Sequence, residues 1–291
     1  MMGFESECVK CLLSKHLDKF TGTIDEKTNL EYMRRLLDII GNTPDHISAC
    51  VTLEKIHIMQ KELLGYEDDY TDIKTHFNSF VLKKVPEIEQ KIENADDPIY
   101  TAMCYAMMGN YIDFGVLDSV EEQKLESSLE KASELNPDMK EYELFVKDLS
   151  CAKRLLLITD NCGEIVLDKL FLTRIAKTYP ELEIKVMVRG KPVFNDATIE
   201  DARQVGLDKM FEIIPNGSGI VGTVESDISE KAKKVLCEAD VVIAKGQANF
   251  ETLCHCNKNI YYLFLCKCKM FSDRFGVLQF TGMLINDLRL R

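Results

Sequence analysis

The sequence predicts an α/β protein. A helical N-terminal region, residues 1–150, packs on a mostly parallel sheet with helices on both faces, residues 151–291. Two observations carry this prediction. The first 150 residues place apolar side chains at helical spacing and show no strand alternation. From Cys151 onward, short runs that are apolar throughout alternate with helical stretches, the pattern of parallel strands covered on both sides. A length of 291 residues, with 46% apolar and 29% charged side chains, supplies a core for one large domain or two smaller ones.

In the first half, Leu30, Met33, Leu37 and Ile40 share a helix face, as do Leu53, Ile56, Met59 and Leu63. Leu125, Leu129 and Ala132 repeat the spacing later. Breaks fall at Gly41-Asn42-Thr43-Pro44, Asp97-Pro98 and Asn136-Pro137. In the second half the predicted order is strand 153–159, helix 164–177, strand 183–188, helix 197–205, strand 211–214, helix 227–237, strand 240–244, a short helix near Phe250, and strand 261–265. In such sheets ligands sit beyond the carboxyl ends of the strands, so those ends are where function is sought.

The net charge is -12, and it is uneven. Residues 1–150 carry 16 Lys and Arg against 30 Asp and Glu; residues 151–291 carry 20 against 18. An acidic first half argues against nucleic acid and anionic membrane as partners. No apolar run would span a bilayer, and the start MMGFESECVKC lacks the basic-then-apolar order of a signal peptide. The expectation is a soluble, cytoplasmic protein, for which oligomeric state leaves no signature. Eleven cysteines in such a chain read as thiols or ligands more than as a disulfide framework.

The first strand ends in Thr159-Asp160-Asn161-Cys162-Gly163-Glu164. An acid and an amide offer hard oxygens to Mg²⁺ or Mn²⁺, and Asp160 could equally cap the helix that follows. The second strand leads to Arg189-Gly190-Lys191-Pro192-Val193-Phe194-Asn195-Asp196, where Asp196 again precedes a helix and admits the same two readings. The fourth strand ends in Lys245-Gly246-Gln247-Ala248-Asn249-Phe250. Lysine followed by glycine at a strand end suits phosphate, though a solvated lysine in a turn is commoner. The fifth strand ends in Cys266-Lys267-Cys268, with another lysine at the same edge. Gly217-Ser218-Gly219-Ile220-Val221-Gly222 matches a dinucleotide fingerprint, but it follows the third strand rather than the first. A flexible glycine loop over the site is the preferred reading.

Together these segments resemble the family once labelled domain of unknown function 89, the damage-control phosphatases. The matching pieces are Asp160-Asn161-Cys162-Gly163-Glu164, Gly190-Lys191-Pro192 and Asn195-Asp196-Ala197-Thr198. They continue in Asp201-Ala202, Gly206-Leu207-Asp208, Lys245-Gly246-Gln247 and Asn249-Phe250. Gly109-Asn110-Tyr111-Ile112-Asp113-Phe114-Gly115 also looks like a family segment, and Cys8-x-x-Cys11 is similar to the start of the prokaryotic branch. The resemblance implies a helical N-terminal region on a Rossmann-like domain. It implies that Asp160, Asn161 and Asp196 ligate one divalent cation (Mn, Co, Ni or Mg). It further implies that Glu164, Asn195, Asn249 and Lys267 contact a small phosphorylated metabolite, that Lys245 and Gly246 shape the same wall, and that Asn110 and Asp113 reach the cleft from the helical region.

The chemistry to expect is hydrolysis of a phosphate ester, which needs charge neutralisation and alignment. The cation would polarise a phosphoryl oxygen, and Lys245 or Lys267 would balance developing charge. Water or the Asp160 carboxylate could be the nucleophile. Cys162 stands two positions after Asp160, where a dehalogenase-like phosphatase would want a second aspartate, which weakens the aspartyl-phosphate route. Two other readings compete. One is a carboxyl methyltransferase binding adenosylmethionine at Gly217–Gly222. The other is a non-catalytic metal or thiol sensor built on Cys8 and Cys11, with Cys254-His255-Cys256 and Cys266/Cys268 as further ligands. His16, His46, His57 and His76 show no ligand spacing.

Overall fold

The computed structural model describes residues 1–65, 68–112 and 121–290. Among the described residues, eight α-helices come first: α1 (Ser6–His16), α2 (Glu26–Gly41), α3 (Ala49–Leu64), α4 (Thr71–Leu82), α5 (Val85–Glu93), α6 (Pro98–Gly109), α7 (Glu122–Glu130) and α8 (Met139–Cys151). Then follow β1 (Arg154–Ile158), α9 (Glu164–Thr178), β2 (Glu183–Val188), α10 (Ile199–Gln204), β3 (Glu212–Pro215), α11 (Glu230–Glu238), β4 (Val241–Lys245), α12 (Gln247–Leu253), β5 (Ile260–Leu265), α13 (Lys269–Phe275) and β6 (Gly282–Asn286). The fold is α/β, and the sheet is mostly parallel, in the order β3-β2-β1-β4-β5-β6. All pairs from β3 to β5 are parallel, and β6 runs antiparallel to β5.

Side chains alternate across the strands and divide the core in two. Leu155, Leu157, Val186, Val188, Val241, Ile243, Leu263 and Leu265 join one cluster with α6, α9 and neighbouring helices. Leu156, Ile158, Met187, Val242, Ala244 and Phe264 join the other, with Ile228 and residues of α11, α12 and α13. Helix α6 is apolar on every side, which suits a helix enclosed by protein. It starts on Pro98, with the Asp97 carboxylate accepting from Tyr100 N, and ends by delivering Asn110 to the strand ends.

Two expectations need correction. In α2 the buried face is Tyr32, Leu36 and Ile40, while Leu30 and Leu37 lie 46% and 54% exposed. The aromatic takes the inner position because its hydroxyl pairs with His16 Nδ1 at 2.5 Å and its ring meets Phe20 edge-on. The last two elements, α13 and β6, went unread. An edge strand of five residues opening on glycine carries little alternation, and its pairing with β5 is non-local.

Candidate active site

The chain runs from β1 outward to β2 and β3, then returns to β4 on the other flank of β1. That reversal makes the carboxyl ends of β1 and β4 the switch point of the sheet, the place where doubly wound sheets bind their ligands. Asp160 leaves β1 there and Gly246 leaves β4 beside it. A Cβ built on Gly246 would fall 2.0 Å from Asp160 Oδ2 and 2.2 Å from Cγ, and the backbone has φ +79°. Only glycine permits both the conformation and the approach.

Neither aspartate is a helix cap. Helix α9 takes Gly163 as its N-cap and has no side-chain cap bond. Helix α10 takes Thr198, whose hydroxyl and backbone exchange bonds with Asp201 in a capping box. The carboxylates of Asp160 and Asp196 are thereby left for other work. Asn161 and Asp196 form an isolated antiparallel bridge, and Ala197 N donates to Asp160 O at 2.7 Å. The two loops, far apart in sequence, are thus laced by backbone. Asp160 Oδ2 accepts from Asn161 Nδ2 at 2.7 Å and Asn110 Nδ2 at 3.0 Å. The same two amides donate to Glu164 Oε2 at 3.3 and 3.1 Å. Asp160, Asn161, Glu164, Asn110 and Asp196 therefore occupy one buried constellation.

The lysines are placed differently from one another. Lys245 was expected on the substrate wall. Its Nζ is instead buried behind the loop, donating to Glu164 Oε1 and Asp168 Oδ1 at 2.6 Å each and to Ala106 O at 2.9 Å. Three donors meet three acceptors, so this ammonium neutralises carboxylates rather than facing a ligand. Burial pulls its pKa down, but Asp168 and then Glu164 outweigh that and hold it above the usual lysine value. Lys267 Nζ donates to Asn110 O at 2.5 Å, and Gln247 Oε1 holds the Lys267 backbone N–H at 2.7 Å. Asn249 ties the ends of β1 and β4 together, its Nδ2 donating to Thr159 O and Lys245 O. Asn195 Nδ2 donates to Ile112 O, and Asn195 O accepts from Cys162 N.

Two residues escaped the sequence reading. Arg189 is fully buried; its Nε donates to Asp196 Oδ2 at 2.6 Å, and its other nitrogens reach Thr223 and Asn249. The available signal was a guanidinium closing an apolar strand just before glycine. Asp168, one turn beyond Glu164 on α9, was hidden inside an ordinary helical pattern.

This geometry can be set beside known proteins. The model of the damage-control phosphatase ARMT1-like domain matches residues 4–281. The chain belongs to that family. A damage-control phosphatase of Archaeoglobus fulgidus is 34% identical over 275 residues, covering 93% of this chain and 94% of that protein. A damage-control phosphatase of Pyrococcus horikoshii is 32% identical over 208 residues, covering 71% of this chain and 70% of its own length. The crystal structure of a DUF89 family protein from P. horikoshii superposes with a TM-score of 0.82 at 26% identity, covering 99% of this chain and all of that one.

In this member of the damage-control phosphatase family, the donor set fits a divalent cation. Asp160 and Asp196 offer carboxylate oxygens and Asn161 an amide oxygen, all hard donors. Among the described residues, this buried region gathers four acidic side chains, Asp160, Glu164, Asp168 and Asp196, with three basic ones, Arg189, Lys245 and Lys267. Burial pushes the Cys162 thiol up to about 12, far from the range suited to proton transfer near neutral pH. Asp113 lies outside the described residues.

The competing readings find less support. The glycine stretch 217–222 is pinned rather than flexible: a Cβ on Gly190 would strike Gly217 N at 2.1 Å, and Gly190 N and Lys191 N both donate to Ser218 O. Gly222 likewise lies against backbone, where an added Cβ would fall 2.4 Å from Ala248 O. All eleven cysteines are free thiols. Cys8 and Cys11 lie on α1, and no group of three or more His, Cys, Asp or Glu among the described residues is arranged for a metal. No described helix is long and apolar enough to cross a membrane.

Proposed function

We propose that the chain is a divalent-cation-dependent phosphatase that hydrolyses phosphate esters of small metabolites such as sugar phosphates, in the repair of damaged metabolites. Relatives named damage-control phosphatases, matched over 93% and 71% of the chain, support phosphatase action. The observation that supports the rest is the meeting of the loop carrying Asp160 and Asn161 with the loop carrying Asp196, joined by the Asn161–Asp196 bridge and by Ala197 N donating to Asp160 O.

Asp160, Asn161 and Asp196 would hold the cation, which when bound supplies Lewis-acid polarisation of a phosphoryl oxygen. Asn110 and Asn161 steady Asp160 Oδ2 by two hydrogen bonds. An oxygen so engaged is a poor nucleophile, and no acid stands two positions on. Attack by water is therefore preferred over an aspartyl-phosphate route. Arg189 holds Asp196 in place through a buried ion pair. Lys267, against the Asn110 carbonyl, is the lysine assigned to the phosphoryl charge, since Lys245 is fully engaged elsewhere.

The test is phosphate release from p-nitrophenyl phosphate and a panel of sugar phosphates, with and without Mg²⁺, Mn²⁺, Co²⁺ or Ni²⁺. Cation-dependent release that vanishes in Asp160→Ala is expected. No release with any cation, or release undiminished in Asp160→Ala, overturns the reading.

A further inference from the structure

Beneath the Asp160 loop, the core holds three charges where apolar side chains would pack. Lys245, Glu164 and Asp168 have fully buried side chains, and one ammonium serves both carboxylates at 2.6 Å. Glu164 and Asp168 stand four apart on α9, so two like charges share a helix face. Asp168 Oδ2 has no hydrogen-bond partner among the described residues. Stability does not explain such a group: a buried ion cluster can commonly be replaced by apolar residues at no loss or with a gain. An unsatisfied buried oxygen calls for a functional reason.

The arrangement supplies one. Glu164 divides its two oxygens. Oε1 takes Lys245, and Oε2 takes the side-chain amides of Asn110 and Asn161 together with Asn161 N. Because Asn161 Nδ2 is spent on Glu164 and Asp160, its carbonyl oxygen is turned the other way. How strongly Oε2 holds those amides depends on how much of the Glu164 charge Lys245 cancels. With Asp168 sharing the ammonium, neither carboxylate is fully neutralised.

We propose that Asp168 is a positioning residue of the cation site: by sharing Lys245 with Glu164, it keeps charge on the Glu164 oxygen that orients Asn161 and Asn110. The inference rests on the proposed cation-dependent phosphatase and deepens it. The titratable groups facing Asp168 are Lys245 from β4 and Glu164 from its own helix, while α6 contributes only the Ala106 carbonyl, which accepts from Lys245. Burial, and then Glu164, push the Asp168 carboxyl up to about 7 against the pull of Lys245. A protonated Asp168 is the neutral state that Asp168→Asn imitates.

Asp168→Asn keeps the shape and an acceptor for Lys245 while removing the charge. Three readouts apply: Mn²⁺ affinity by calorimetry, kcat and KM on p-nitrophenyl phosphate, and the side-chain amide ¹⁵N–¹H resonances of Asn110 and Asn161 in the protein without added metal. The expected result is Mn²⁺ affinity or kcat lowered about 10- to 100-fold, the usual effect of losing an outer-shell partner, with KM little changed and both amide resonances displaced. Wild-type Mn²⁺ affinity should also weaken as pH falls through about 7, a step absent from Asp168→Asn. A folded Asp168→Asn with unmoved amide resonances and wild-type affinity overturns the proposal. If Asp168→Asn fails to fold, Lys245→Met, which strips Glu164 Oε1 of its ammonium and so raises rather than lowers the uncompensated charge on Glu164, must displace the same two resonances, and unmoved resonances there overturn it. An inert wild type that binds no Mn²⁺ yet shows displaced amides in the variant would sink the phosphatase reading and leave the positioning role standing.

Discussion

Replacing Gly246 with alanine should damage the cation site through one contact whose size can be worked out in advance. The added Cβ would stand 2.0 Å from Asp160 Oδ2, whereas Cβ contacts under 3.0 Å essentially never occur. The carboxylate, or the β4 end, must therefore yield by about 1 Å, a misplacement able to cost a factor of about 100 in rate. The backbone adds its own penalty: φ +79° with ψ 159° belongs to glycine, and forcing an L-residue into it costs about 1–3 kcal/mol. Gly65→Ala separates the two effects. Gly65 has φ +72° but nothing within 4 Å of the added Cβ, so it carries strain without collision. The assay is calorimetric Mn²⁺ binding and p-nitrophenyl phosphate hydrolysis beside thermal unfolding, on both variants. Gly246→Ala should lose stability and about two orders of magnitude in activity, while Gly65→Ala should lose stability alone. Wild-type affinity and rate in Gly246→Ala, or equal loss of rate in both, would refute the reasoning.

Four other outcomes are expected. Arg189→Met leaves the buried Asp196 carboxylate without its guanidinium, and denaturant unfolding should show a loss of about 3–5 kcal/mol; a loss near zero would mean the pair contributes nothing. Asn78 Oδ1 accepts from Gly163 N at 2.6 Å, so Asn78→Ala should strand that buried amide, cost about 1–3 kcal/mol and lower kcat by loosening the Asp160 loop. Cys162→Ala should retain activity far above the 10²- to 10⁴-fold deficit, roughly, that losing a general acid or base produces; a deficit of that size would restore the aspartyl-phosphate route. Asp168 is displaced from an ordinary 3.8 to about 7 by burial. Between those values the unfolded chain has released a proton that the folded chain retains, so this group's contribution to stability declines as pH rises through the window. Thermal unfolding from pH 4 to 8 should show that decline in the wild type and a flatter profile in Asp168→Asn.

Much of the fold was legible because parallel strands buried on both sides announce themselves as unbroken apolar runs. Leu155–Ile158 and Val241–Ala244 could hardly be anything else, and all five parallel strands fell within a residue or two of their predicted bounds. The edge strand β6 was not legible, since its burial alternates while its sequence, Gly282-Met283-Leu284-Ile285-Asn286, does not, and its partner β5 is defined only in space. The face of α2 was misjudged because Leu30 and Leu37 satisfy helical spacing as well as Tyr32 and Leu36 do. The choice between them was made by a tertiary contact with His16 and Phe20. Pattern fixes an element's type, but not which of two similar faces finds company.

The site shows the same division, and here more could have been read. Strand side chains alternate, so the end of a strand inherits a face from the residues before it. Val241 and Ile243 point to the α6/α9 side, and Lys245 follows them there, away from the outer loop; Leu263 and Leu265 point the same way ahead of Lys267. Met187 faces the α11/α12 side, and Arg189 follows it to meet Thr223 and Asn249. Parity alone therefore assigns Lys245 and Lys267 to one side of the cation loop and Arg189 to the other. Distance decides what parity cannot. Lys267 stops at the carbonyl of Asn110, while Lys245 goes under the loop to the α9 carboxylates. The proposed cation ligands are thus gripped from both faces of the sheet, by Arg189 through Asp196 and by Lys245 through Glu164 and the two asparagine amides. Cation affinity should accordingly respond to charge changes on either face, at residues that never touch the ion.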